Sequence, residues 1–383
     1  MKILFVCMQY IHSARWINQL KDSGHEIYVF DCLDKPIHED LLWTNFITGW
    51  SKRKLPYLKG EYFLEKKLPY IFRNIEPFLK ITASEKLIQV IEEIQPDLVH
   101  SLEMQSETYP LLKARKKIDF KWAYFSWGSD LYLYQNNLFH RKRIKNILKN
   151  LNYLFVDNSR DIELAKKLSF KTTVAGIFPG GGGYEMKSMN QYKLPLSEKK
   201  LILIKGYHHW AGRALVVLDA FEKNIDLIRE FNIYLYSAHD KVVERISYLN
   251  SKYKLNIEYS SRYKEISHEQ LLEKFGQAKV AIGNSISDGV PNTLLEAILL
   301  GAFPIQSNPG GASEDYITHG ENGFLIENPE DPKEIASHIM NALNNEDLLS
   351  HAYSLNHEIA KDLDYQIIKD KVVALYKKIE KEL

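Results

Sequence analysis

The sequence predicts an α/β fold made of two doubly wound, Rossmann-like domains facing across a cleft. Three observations lead there. Short β-like apolar runs alternate with amphipathic helical stretches along nearly the whole chain, the pattern of parallel sheets joined by crossover helices. The series breaks at the glycine-rich run "FPGGGG" and then restarts, so two sheets are expected rather than one. A length of 383 residues suits two domains of ordinary size, each able to bury a full core.

The elements follow in order. "KILFVC" reads as the first strand, "SARWINQLKDSG" as a helix closed by Gly24, and "HEIYVFD" as the second strand. After a long aromatic and basic stretch, the helix "SEKLIQVIEEI" leads through Pro96 into "DLVHSL", and "WAYFSW" and "YLFVDNS" continue the series. Beyond the break come "LILIKG", a helix over 214–223, "NIYLYSA", a helix over 240–250 and "NIEYSS". A helix over 268–277, "VAIGNS", a helix over 292–300 and "FPIQSN" complete it. The expected domains are 1–178 and 179–364, followed by a C-terminal helix over about 365–383.

Composition narrows the class. Hydrophobic residues make up 45% and charged residues 26%, the balance of a globular enzyme rather than a disordered chain. Cys7 and Cys32 end predicted strands and offer no zinc spacing, so two buried thiols in a reducing compartment are expected. No leader-like segment precedes the first strand and no apolar run nears the roughly 20 residues a membrane span needs, so a protein of the cytoplasm or of the inner face of a membrane is expected. The net charge is +1 but unevenly spread: residues 1–180 hold 27 Lys and Arg against 20 Asp and Glu. An anionic partner for the N-terminal half explains that as well as solvated helix faces do, and nothing signals nucleic acid.

In open α/β sheets ligands bind beyond the carboxyl ends of the strands. The most informative segment there is "SDGVPNTLLEAILLGAFPI", residues 287–305. Pro291-Asn292 starts a helix with Asn292 as its expected N-cap, and Gly301 stops it. Asp288 then lies in the loop before the helix and Glu296 about one turn inside it. Backbone N–H groups and the helix dipole between them favour an anion. An anion held between two hydroxyl-binding carboxylates suits a sugar joined to a diphosphate. Lys205 ends a strand and Arg213 opens the next helix, with "GYHHWAG" between, and two cations at such a junction suit the same diphosphate.

Other motifs carry less. "FPGGGG" lacks phosphate-loop spacing and reads as a hinge or interdomain loop. "DLD" at 362–364 reads as solvated surface, and the adjacent His208 and His209 make poor metal ligands, so no metal is expected.

The acid–seven–acid segment, with "GGASEDYITHGENGFLI" after it, resembles the GT-B glycosyltransferases of the retaining family four. "HSARWINQLKDSGHEIYVF", "PDLVHS", "WGSDL", "VDNSRD" and "LILIKG…GRALVVLDAF" match in the same order. The resemblance implies transfer of a sugar from a nucleotide-diphosphate donor, UDP favoured over GDP, to a hydroxyl of a saccharide or lipid-linked acceptor, as in bacterial polysaccharide or glycoconjugate synthesis. It implies no cofactor beyond the nucleotide-sugar co-substrate. An epimerase of the same architecture and a non-catalytic nucleotide-sugar binder are the alternatives.

Carried over, Glu296 would bind ribose hydroxyls and Asp288 the transferred sugar. Lys205 and Arg213 would neutralise the diphosphate at the start of the helix, along Gly289, Val290, Pro291, Asn292, Thr293 and Leu294. Arg262 and Tyr263 would lie beside the base. His12, Arg15, His100, Trp127 and Asp130 would line the acceptor side of the N-terminal domain, and the C-terminal helix would cross back onto it. Asp288 stands where the family has glutamate, and Trp127 where it has a histidine. The stretch 50–80 interleaves lysines and arginines with Trp50, Tyr57, Tyr62, Phe63, Tyr70, Phe72 and Phe78, which suits weak contact with an anionic membrane.

Overall fold

The computed structural model describes the backbone of residues 1–383 and every side chain apart from that of Arg73. The chain divides into two compact units. The first comprises Met1–Val156, Ile162–Ile177 and Lys371–Leu383; the second comprises Asp157–Asp161 and Phe178–Asp370.

The first unit is built on strands β1 (Lys2–Val6), β2 (Glu26–Phe30), β3 (Asn45–Ile47), β4 (Leu98–Leu102), β5 (Trp122–Ser126), β6 (Tyr153–Val156) and β7 (Thr173–Ile177). They form one parallel sheet in the order β3-β2-β1-β4-β5-β6-β7. Leu4, Val6, Val99, Trp122, Tyr124 and Leu154 lie in one buried cluster with the helices. Elsewhere in this unit Phe5, Trp16, Phe125, Phe155 and Tyr376 form a chain of ring contacts.

The second unit holds β8 (Leu201–Lys205), β9 (Asn232–Ala238), β10 (Ile257–Ser261), β11 (Ala278–Gly283), β12 (Phe303–Ser307) and β13 (Phe324–Ile326). This sheet is also parallel, in the order β10-β9-β8-β11-β12-β13. Side chains alternate across it as the strand period of two requires. Ile202, Ile204, Leu235 and Ile282 join one core cluster, and Leu203, Tyr234, Tyr236 and Ala281 the other. Strand order reverses between β8 and β11, the place where such sheets bind ligands.

Two doubly wound parallel α/β sheets are thus present. Three strands not read from the sequence, β3, β7 and β13, all lie at sheet edges and are only three to five residues long. The stretch 50–80 contributes two helices, Glu61–Lys67 and Pro69–Leu79. Among the described residues no helix is long and apolar enough to cross a membrane.

Candidate functional site

The carboxyl end of β8 gathers the site in the second unit. Gly206 lets the chain turn there without a side chain in the way: a Cβ on it would lie 2.7 Å from Ala238 Cα and 2.8 Å from Tyr236 O. The loop after β8 therefore lies against the end of β9. It closes on itself, with Ala214 N–H donating to Tyr207 O at 3.0 Å and Gly212 packed against the same carbonyl. Lys205 Nζ, at the strand's end, stands 3.6 Å from Asp288 Oδ2, so the two sequence-predicted charges form an ion pair.

Arg213 is placed differently. Its Nε pairs with Glu330, and its Nη1 donates to the carbonyls of His209, Ala211 and Gly212. The guanidinium thus ties down the loop. The second cation beside Lys205 is Arg262: Lys205 Nζ and Arg262 Cζ lie 5.0 and 5.2 Å from the centre of the Tyr207 ring. Arg262 pairs with Glu265, whose Oε1 also accepts from Ser237 Oγ at 3.0 Å. Tyr263 is largely exposed beside them. Glu265 ends the segment from Arg262 expected beside the base, whereas Tyr207 was not singled out, since a tyrosine marks no site without the β8–β9 adjacency.

The helix after Asp288 runs over Asn292–Leu299, with extended Pro291 in the N-cap position and no side-chain cap. Asn292 is its first residue rather than its cap, because proline's fixed φ already supplies the extended residue a cap needs. Gly181 packs against the Asn292 amide, and Gly183 against Tyr365, so glycines of "FPGGGG" serve close packing in this unit. Leu294 was expected to help hold an anion, but its N–H donates to Pro291 O at 2.9 Å and its side chain is buried in the core. Val290 N–H is likewise taken, by Asp157 Oδ2 at 3.1 Å, and Gly289 leaves no room for a Cβ against the same carboxylate. Asn292 and Thr293 remain at the helix start, with the helix dipole behind them. Glu296 is buried in the second turn, and its Oε1 lies 2.8 Å from Nε2 of the half-exposed His268.

In the first unit the expected acceptor-side residues separate into two kinds. The His12 ring meets Trp127 edge-on at 6.3 Å, and Arg15 is half-buried on the same helix, Ile11–Asn18. Trp127 Nε1 is buried with no hydrogen-bond partner. His100 is instead a core residue: fully buried, it bonds through Nδ1 to Tyr376 Oη at 2.6 Å, and burial pushes its pKa down to about 3. Asp130 is structural too, accepting from Tyr124 Oη, Ser126 Oγ and the N–H groups of Trp127 and Leu131.

A feature missed in the sequence lies nearby. Fully buried Glu107, in the π-helical turn Met104–Thr108, accepts from Cys32 N–H at 2.9 Å, while its Oε1 has no partner. Burial pushes its carboxyl up to about 8, with Asp31 and Glu103 adding repulsion. The buried thiols Cys7 and Cys32 are raised by burial as well, and no group of three metal-ligating side chains occurs among the described residues.

Comparison with known proteins agrees with this architecture. Residues 2–158 match the family described as glycosyl transferase 4-like, and residues 213–357 match glycosyl transferases group 1. No curated protein sequence matches the chain. Among solved structures, sucrose-phosphate synthase from Thermosynechococcus elongatus superposes with a TM-score of 0.72 at 17% identity over 100% of both chains. HepE of Anabaena, solved in complex with UDP-glucose, gives 0.68 at 12%, again over 100% of both. The lipopolysaccharide outer core galactosyltransferase WaaB gives 0.69 at 16% over 100% of both. With both halves of the chain matched and two parallel doubly wound sheets in place, the protein belongs to the group 1 glycosyltransferases of the GT-B fold.

Proposed function

We propose that the protein is a retaining glycosyltransferase that moves a sugar from a UDP-sugar to a hydroxyl of a saccharide or lipid-linked acceptor in the synthesis of a bacterial polysaccharide or glycoconjugate. The observation that supports this best is the Lys205–Asp288 ion pair, at the carboxyl end of β8 where strand order reverses. Asp288 is set to accept hydroxyls of the transferred sugar, and Glu296 those of the ribose. Lys205, Arg262 and the start of the helix at Asn292 would stabilise the diphosphate as its charge grows on departure, without a metal ion. HepE of Anabaena, with UDP-glucose bound, supports the choice of donor. In a front-face reaction a leaving phosphate oxygen takes the acceptor proton, so Trp127 in place of a histidine does not remove an obligatory base.

The first unit would supply the acceptor groove through His12, Arg15 and Trp127. It would also rest at the inner face of an anionic membrane. Tyr57, Tyr62, Phe63, Tyr70 and Phe78 are exposed in the stretch 50–80, whereas Trp50 and Phe72 are buried.

The test is a panel of nucleotide sugars incubated with the protein in EDTA. Slow release of UDP and free sugar from a UDP-sugar is expected, and acceptor saccharides should speed the release of UDP while taking up the sugar as a glycoside. Conversion of the donor to its epimer without release would make the protein an epimerase, and binding without any turnover would make it a non-catalytic binder. Activity lost to EDTA and restored by manganese or magnesium would refute metal independence.

A further inference from the structure

Two histidines at the carboxyl ends of β8 and β9 have no part in the reading above. His239 Nδ1 accepts the backbone N–H of His208 at 3.3 Å. His209 Nδ1 accepts those of Ala211 and Gly212 at 3.0 and 3.3 Å. A backbone N–H can only donate, so each Nδ1 presents its lone pair and the ring proton of the neutral imidazole must sit on Nε2. Among the described residues neither Nε2 has a hydrogen-bond partner. Both rings therefore offer an N–H donor in a fixed tautomer.

Their placement says what they would meet. The rings stand 5.5 Å apart edge-on, and they flank Tyr207 at 5.4 Å for His209 and 5.8 Å for His239. The same tyrosine ring carries Lys205 and Arg262. Burial and these cations hold the His209 imidazole below its usual pKa, in keeping with a neutral ring. A metal ion would need the lone pair on Nε2, moving the proton to Nδ1 against a backbone N–H, so the arrangement favours an anion over a cation. Lys205 and Arg262 already have carboxylate partners in Asp288 and Glu265. An incoming dianion therefore gains most from neutral donors that bring no carboxylate with them.

We propose that His209 and His239 bind the diphosphate of the sugar nucleotide, each donating a hydrogen bond from Nε2 beside Lys205 and Arg262. This rests on the donor-site reading above and adds two ligands to it. Gly206 and Gly212 make it possible, the first by bringing the loop onto β9 and the second by closing the loop.

The test uses the full chain, calorimetry, and UDP, GDP, uridine and inorganic pyrophosphate as probes. His209→Asn and His239→Asn keep an oxygen where Nδ1 accepts the backbone N–H, and remove the outward donor. Hydrogen bonds to charged groups are worth enough that each variant should bind UDP and pyrophosphate about tenfold more weakly. Uridine affinity should stay unchanged, and His209→Gln and His239→Gln, whose amide reaches the Nε2 position, should recover part of the loss. Wild-type affinity for UDP in both Asn variants would overturn the proposal, as would an equal loss for uridine, which marks a merely structural role. If the wild-type protein binds pyrophosphate through these histidines but no nucleotide, their role as diphosphate ligands holds and the nucleotide-sugar reading of the site falls. If it binds none of the probes, both fall.

Discussion

His268 donates from Nε2 to Oε1 of Glu296 at 2.8 Å, so the carboxylate proposed to hold the ribose is already fixed by a side chain from the neighbouring helix. His268 is the first residue of the helix His268–Gln277, whose start is locked by a capping box between Ser267 and Gln270. That makes His268 a rigid support for a buried acid. His268→Ala is expected to weaken nucleotide binding about threefold to tenfold by leaving Glu296 unsupported. Calorimetric titration of UDP checks this; an affinity equal to the wild type's would show that Glu296 needs no orientation.

Glu107 gives the fold a pH dependence with a definite sign. Its carboxyl is raised from 4.5 to about 8 in the folded chain. Between those values the folded state holds a proton that the unfolded state has lost, so stability falls as pH rises across that window. The slope from one such group approaches about 1.4 kcal/mol per pH unit. Glu107→Gln, whose amide can still accept from Cys32 N–H, is expected to flatten this slope and to be the more stable protein at pH 8. Denaturant midpoints at pH 5, 6.5 and 8 decide; parallel curves for the two proteins would mean Glu107 is ionised without penalty.

Lys205 and Arg213 are expected to part company in kinetics. Lys205 faces Asp288 at the strand end, so Lys205→Ala should lower kcat about a hundredfold with KM little changed, the mark of charge needed mainly as the diphosphate leaves. Arg213 holds three loop carbonyls and Glu330, so Arg213→Ala should disturb kcat and KM together. Steady-state kinetics with the best donor separates them. A Lys205→Ala enzyme with the wild-type kcat would place the diphosphate elsewhere.

Much of the fold was legible because a buried parallel strand is a short apolar run with little else to compete with it. "LILIKG" and "VAIGNS" became β8 and β11 for that reason. The edge strands β3 and β7 were not, since their side chains are largely outside the cores, and β13, though buried, is only three residues long. At the site, position was legible and orientation was not. His100 follows the expected strand signal, yet β4 is buried along its whole length, so a histidine there points into packing whichever way it turns. Arg213 and Arg262 look equivalent as sequence, and only the loop's closure shows which one is spent on carbonyls. Lys205 and Asp288 were found from local signals at strand and helix ends. His209 and His239 lie in loops that follow predicted strands, but nothing local in the sequence says that the loops after β8 and β9 touch.

The stretch 50–80 is expected to bring the protein to anionic vesicles. Five aromatic side chains there are exposed, and Lys52, Lys59, Lys66 and Lys67 are outside the ion pairs that occupy Arg53, Lys54 and Lys80. Each basic residue near an anionic surface contributes about 1 kcal/mol, so four give weak, reversible docking that salt screens. Sedimentation with phosphatidylserine vesicles at low salt should carry the protein down, and physiological salt should release part of it. Protein left in the supernatant at low salt would point to a soluble acceptor.

The second unit is proposed to hold a nucleotide diphosphate with Glu296 on the ribose. Calorimetric titration of UDP into the wild-type protein and Glu296→Gln tests it most directly. The amide can still accept from His268 and fills the same space, so the variant should melt within a degree or two of the wild type. It is expected to bind UDP about tenfold more weakly, having lost a charged acceptor for the ribose hydroxyls. Equal affinity in a fully folded variant would mean that Glu296 does not hold the ribose.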